Sequence, residues 1–241
     1  MSLKNKRIFD LLITLSIFPL WLIILIIITI FLYCINHRPV FFSQFRVVSN
    51  RREKRIFKFR SMNVQKVKKY LNSDTLKKER KTGFTSIDPS TGVYTKIGIF
   101  LESLKLVELP EIFLVLTGDL SIVGNRPLPE YLQRQLEENF PNAKKRLLTK
   151  AGIFGVIQMS GRQNFNSEDR VKFEVLYSEI QYYNYSLKLD LVITIISLLR
   201  LFKCPLIKTH DEIHMILNDK SFSTLGLLIK RKIKASRPIK K

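Results

Sequence analysis

At 241 residues the chain is long enough for one domain with a substantial core plus appendages. Its formal charge of +21 selects anionic partners: phosphates, acidic lipid headgroups or nucleic acid. Two distant cysteines (Cys34, Cys204) and three histidines exclude a disulfide framework and a histidine metal site, and they fit a reducing compartment; His210 and His214 lack a third ligand and read as surface residues.

Residues 11–36 carry no charged side chain, about 26 positions against the roughly 20 that a helix needs to cross a hydrocarbon core. The run is too long for a cleaved signal and no small-residue cleavage site follows it, so residues 1–38 form a membrane anchor. Lys4, Lys6 and Arg7 precede the run, and Arg38, Arg46, Arg51 and Arg52 follow it, so both ends favour the cytoplasmic side. Pro19 predicts a kink. These residues leave two anchors open, a kinked helix that enters one leaflet and returns, and a plain span whose proline is rescued by neighbours.

Residues 40–48 and 55–60, rich in β-branched and aromatic side chains, predict a strand hairpin around the polar turn 49–53. In the second strand Arg55, Phe57 and Phe59 share one face. Lys58 and Arg60 project together from the other, as a pair suited to an anionic group. Residues 64–82 are a lysine-rich helix or loop, and 86–92 carry turn chemistry. Helices are predicted over 97–106, over 110–116 with Pro110 opening it and Gly118 stopping it, and over 130–138 up to Pro141. Residues 151–162 hold three glycines with Gln158 and Arg162. Such glycines let a backbone approach a phosphate, although the spacing fits neither a P-loop nor a dinucleotide fingerprint. Residues 173–185 read as helix. Residues 187–202 are strongly apolar but hold Lys188, Asp190 and Arg200; a helix in the membrane interface suits them better than a span, with a buried core helix as the alternative. Residues 205–241 form a basic extension, whose last twelve positions carry seven basic and no acidic side chains and read as an arm for anionic lipid.

The order of these pieces resembles the bacterial sugar transferase family, the monotopic phosphoglycosyl transferases that start glycan assembly on polyprenol phosphate. The likeness is carried by Lys6-Arg-Ile-Phe-Asp10, Pro39-Val-Phe-Phe-Ser-Gln-Phe-Arg46, Phe57-Lys-Phe-Arg-Ser-Met62 and Thr95-Lys-Ile-Gly-Ile-Phe-Leu101. It continues through Glu108-Leu-Pro110, Gly118-Asp-Leu-Ser-Ile-Val-Gly-Asn-Arg-Pro127, Gly152-Ile-Phe-Gly155, Gln158, Gly161-Arg162 and Asn184-Tyr-Ser-Leu-Lys-Leu-Asp190. Each block is a weak match and the ordered series is specific. The resemblance implies an α+β, mainly helical fold: a re-entrant membrane helix hairpin, a small strand hairpin and cytoplasmic helices lying on the membrane interface. Residues 39–204 would be the catalytic domain, on the cytoplasmic face of the bacterial inner membrane. It also implies a chemistry. An aspartate of an Asp-Glu pair attacks the sugar-linked phosphate of a nucleotide-diphosphate sugar and releases UMP, and polyprenol phosphate then accepts the sugar phosphate. Magnesium and arginines would neutralise the diphosphate.

The family reads Asp-Glu-Leu-Pro where this chain reads Val107-Glu-Leu-Pro110, so the reacting oxygen is missing. Other departures are Ile99 and Glu102 in place of arginines, Asn125 in place of a proline, Val48 and Asn50 in place of glycines, and Ser178 near an expected aspartate, with Glu174 and Glu179 close by. Glu108 remains the candidate catalytic and metal-binding residue, read as a retained ligand contact, a salt-bridged helix-end glutamate or a reassigned nucleophile. Lys58, Arg60, Arg126, Gln158 and Arg162 are the candidate phosphate-binding residues. Two functions follow: an impaired sugar-1-phosphate transferase, or an inactive homologue that binds membrane, polyprenol phosphate or a partner transferase. A nucleic-acid binder is the weakest reading, because no such motif occurs.

Overall fold

The computed structural model describes residues 3–35, 38–50, 52–71, 87, 89–161, 165–201, 206–207, 209–219 and 222–236. Arg162, most of the lysine-rich stretch after Leu71 and the end of the basic tail lie outside the described residues. Helix α1 (Leu3–Cys34) runs continuously through Pro19. Among its buried and half-buried positions, Lys6, Asp10, Thr14, Phe18, Trp21, Leu25, Ile28 and Leu32 recur at helical spacing as one stripe. That stripe meets the body along its whole length. Lys6 Nζ lies 2.6 Å from Asp190, Asp10 accepts from Ser121 and from the Ile122 N–H, Trp21 donates to the Leu109 carbonyl, and Leu32 packs with Phe59 and Leu101. The opposite face exposes Leu12, Leu15, Ile23, Ile27 and Ile30.

Strands β1 (Phe41–Ser49) and β2 (Arg52–Phe59) form the predicted antiparallel hairpin, with Phe41 opposite Phe59 and Ser49 opposite Arg52. Ile56 and Lys58 are both buried, and Phe59, expected on the opposite face, is buried too, stacked on Phe41 at the strand end. The order continues with α2 (Val64–Leu71) and α3 (Lys96–Ser103), whose first turn is capped by the Thr95 hydroxyl accepting from the Gly98 N–H. A 3₁₀ segment over Leu106–Glu111 follows, opened by Lys105 in the left-handed region, and only then α4 (Ile112–Thr117). Pro110 therefore lies inside the 3₁₀ segment rather than at the start of a helix, a position its ring tolerates because these turns are short. Gly118, at φ 81°, closes α4 as predicted.

A second, parallel pair joins β3 (Ser121–Val123) to β4 (Gly152–Phe154), and between them lies α5 (Glu130–Asn139). Helices α6 (Val156–Ser160), α7 (Ser167–Tyr183), α8 (Leu187–Leu201), α9 (His210–Asp219) and α10 (Phe222–Ser236) complete the described chain.

Helix α8 has one face in the protein core, as the alternative of a buried core helix expects. Leu189, Val192, Ile193 and Ile196 are buried in the main core, and Asp190 and Arg200 meet partners inside the protein while Lys188 is exposed. Asp190 makes the difference, since a carboxylate satisfied at the centre of the fold reads in sequence like a polar break in an apolar run. Leu206, Ile207, Ile213, Ile216, Leu217, Leu225 and Leu228 belong to the same core, so the extension after residue 204 packs with the rest of the protein through α9 and α10. His210 and His214 pack edge or face against Phe173, and His210 also stacks on Phe165.

Candidate functional site

A cavity of about 650 Å³ opens between the hairpin, the 3₁₀ segment, the loop after β3 and α6–α7, and Lys58, Arg60, Val107, Arg126 and Gln158 all line it. Its polar centre is made by the 3₁₀ geometry. With three residues per turn, side chains at i and i+3 eclipse, so Glu108 and Glu111 point the same way. Both meet Lys58, which β2 projects inward: Nζ lies 3.0 Å from Glu108 Oε1 and 2.9 Å from Glu111 Oε1. The Glu111 contact is ionic without an aligned hydrogen bond. Arg126, from the loop after β3, donates to Glu108 Oε1 at 2.6 Å. Lys58, Glu108 and Glu111 are all buried, which strengthens each attraction and makes an unmatched charge costly.

Arg46, on β1, also lines the cavity. It donates to the Pro127 carbonyl and to Gln44, while its Nε–H is buried with no hydrogen-bond partner. Burial and the neighbouring Arg126 lower the pKa of Arg46, offset in part by Glu111 and Glu108. For Arg126 burial also lowers it, but Glu108 and Glu111 outweigh that and hold it raised.

Behind this centre sits a second buried pair. Arg146 Nε donates to Glu174 Oε2 at 2.8 Å, and its other nitrogens donate to Gln133 and to the Arg126 carbonyl. Arg146 therefore fixes the loop that carries Arg126. Glu179 pairs with Lys145 nearer the surface, and Ser178 donates to the Arg146 carbonyl.

The structure brings Lys58, Glu108 and Arg126 into direct contact and sets Arg60 and Gln158 on the same cavity. Arg60 donates Nε–H to the Pro39 carbonyl, and Gln158 reaches the Ile153 carbonyl at 3.4 Å. The glycines of the 151–162 stretch do a different task from phosphate approach. A Cβ on Gly152 would lie 2.1 Å from the Gly124 nitrogen, so this glycine lets β3 and β4 pack closely. Sequence reasoning missed Arg46 and Glu111; the spacing Glu108–Glu111 across a proline was the available signal for the latter.

Val107 is 2% exposed and packs with Leu32, Phe59 and Leu101, so this wall of the cavity is apolar where the resemblance implies a carboxylate. The implied magnesium does not fit the donor set as it stands. The two carboxylates that converge, Glu108 and Glu111, do so on the Lys58 ammonium, and Arg126 holds the same Glu108 oxygen.

A family model described as bacterial sugar transferase matches residues 1–204. Galactosyl transferase CpsE of Streptococcus agalactiae serotype III is 37% identical over 163 residues, covering 66% of this chain and 34% of that protein. The undecaprenyl-phosphate galactose phosphotransferase of Salmonella typhimurium is 36% identical over 126 residues, 50% of this chain and 25% of that protein. The uncharacterized sugar transferase EpsL of Bacillus subtilis is 33% identical over 192 residues, 78% of this chain and 82% of that protein. Against CpsE and the Salmonella protein, this chain spans about a third or less of the relative's length.

Proposed function

The chain belongs to the bacterial sugar transferase family, and from that premise we propose that it is a membrane-bound member whose transfer of sugar 1-phosphate from a nucleotide-diphosphate sugar to polyprenol phosphate is impaired. The observation that carries this reading is Val107, apolar and buried at the cavity wall beside an otherwise charged centre. Valine offers no lone pair, so the covalent phosphoryl-sugar step has no oxygen at that position. Glu108 does not replace it. Adjacent residues of a 3₁₀ turn point about 120° apart, and its Oε1 is held by both Lys58 and Arg126. Arg46, Lys58 and Arg126 keep the cavity suited to phosphate oxygens. That retained charge also favours the alternative, an inactive homologue that holds ligand or a partner transferase during glycan assembly.

Purified full-length chain, given UDP-sugars and polyprenol phosphate with and without magnesium, is expected to release UMP about a thousandfold or more slowly than an active family member assayed in parallel. Matching rates overturn the reading.

The reading includes a seat in the inner leaflet without crossing. From Lys6 to Leu32, α1 extends about 39 Å, longer than a hydrocarbon core of about 30 Å, and the body covers one stripe throughout. A crossing helix would carry buried ion pairs and the hairpin into lipid. Cys34 is exposed at the end of α1. With Cys204→Ser made to isolate it, membrane-impermeant maleimide is expected to leave Cys34 unlabelled in spheroplasts; labelling from the periplasmic side rejects the same-side topology.

A further inference from the structure

We propose that Lys58 serves as the resident cation of this site in place of a divalent metal, so that the cavity takes a nucleoside diphosphate without magnesium. This inference rests on the ligand class proposed above and concerns what neutralises that ligand's charge.

The convergence of two carboxylates is the usual invitation to a divalent ion, which is held by one or two carboxylates together with substrate phosphate oxygens. Here Glu108 and Glu111 are aligned by the 3₁₀ turn, and the point on which they converge is Lys58 Nζ, at 3.0 and 2.9 Å. The ammonium is tethered there by its position on β2, with Ile56 two residues earlier buried on the same face of the strand. Arg126 approaches the same Glu108 oxygen from the other side at 2.6 Å. A divalent ion entering between the carboxylates would have to displace Lys58 and sit beside Arg126, and buried like charges at such range repel strongly.

The donors a diphosphate needs are already present without a metal. Arg46 lines the cavity with its buried Nε–H lacking a hydrogen-bond partner, and its other end donates to the carbonyl of Pro127, the residue after Arg126, which lines the same cavity. Two adjacent guanidiniums suit the spread oxygens of a diphosphate, for which planar forked donors are better matched than a point charge. Glu108 and Glu111 hold Lys58 in place, and the arginines face the anion. A carboxylate pair matched by an ammonium and a guanidinium has little left to offer a metal.

The test uses UDP as the probe and the full-length chain in detergent. Calorimetric titration is expected to give dissociation constants with excess EDTA and with magnesium that agree within about twofold. Lys58→Met keeps much of the stem and removes the charge, leaving Glu108 with Arg126 and Glu111 with no ion pair. This variant is expected to bind UDP at least about tenfold more weakly in EDTA and to recover with magnesium. It is also expected to take up manganese, seen by loss of the free-ion paramagnetic resonance signal, where the wild-type chain does not. Wild-type binding that needs magnesium, or stoichiometric manganese uptake by the wild type, overturns the inference and leaves the ligand reading intact. No UDP binding in either condition overturns the ligand reading, and this inference with it. Should Lys58→Met fail to fold, the wild-type comparison decides alone.

Discussion

Val107→Asp is expected to raise UMP release from a UDP-sugar by at least about a hundredfold, because a nucleophile is restored to a site that retains its charge-neutralising groups. The added carboxylate oxygen would attack the sugar-linked phosphorus and the P–O bond to UMP would break, with UMP leaving on the bonding pair. Val107 lines the cavity on the same 3₁₀ segment as Glu108, whose partners Lys58 and Arg126 line that cavity too. The substitution has a stability cost. Position 107 packs against Leu32, Phe59 and Leu101, and a carboxylate there loses apolar contact and much of its hydration. A loss of about 1–3 kcal/mol is expected, the scale for burying a polar group with partial compensation. Mass spectrometry of the variant after mixing with substrate is expected to find a sugar-phosphate adduct on the peptide containing position 107. A folded variant that binds UDP and gives neither adduct nor UMP would mean that the site lacks more than this one oxygen, favouring the binding role.

The largest stability effect is expected from Asp190→Ala. Asp190 is fully buried, with Oδ2 at 2.6 Å from Lys6 Nζ and Oδ1 accepting from the Tyr177 hydroxyl and Gln181. Burial, followed by the neighbouring Asp190 charge, pushes the Tyr177 phenol well above its ordinary range and keeps it a neutral donor. Removing the carboxylate strands the Lys6 ammonium inside the fold, and breaking a buried pair from one side costs about 3–5 kcal/mol. For a chain of this size that corresponds to a fall in thermal midpoint of roughly 6–20 °C. Asp190→Leu combined with Lys6→Met removes both charges and is expected to recover most of the loss, because the penalty comes from the uncompensated ion rather than from the missing attraction. A single-variant loss below about 1 kcal/mol would mean that water reaches Lys6 and that α1 is not pinned to α8 by this pair.

These two positions bear on what could be read before the fold was known. Val107 was recognisable only against the family's pattern, since valine in an apolar run carries no local signal. Asp190, read with Lys188 and Arg200 as a polar break in an apolar run, gave no sign of its partner, because Lys6 stands 184 positions earlier. Lys58 fell between the two. Strand alternation set it on one face with Arg60, but its engagement by two glutamates depended on a 3₁₀ turn that the helix prediction over 110–116 did not include.

Elements whose cause is local were legible in the order of residues. Uninterrupted hydropathy made α1, β-branched and aromatic alternation made the hairpin, Gly118 ended α4, and the ordered motifs identified the family. Tertiary structure alone decided which charges meet. It brought Lys6 to Asp190, Lys58 to Glu108 and Glu111, Arg146 to Glu174 and Arg126 to Glu108, and it drew residues beyond 204 into the common core. The physical reason is that backbone propensity and side-chain periodicity act over a few residues. A buried ion pair is set by the packing of elements far apart in the chain, and only there is water excluded enough for its charges to matter.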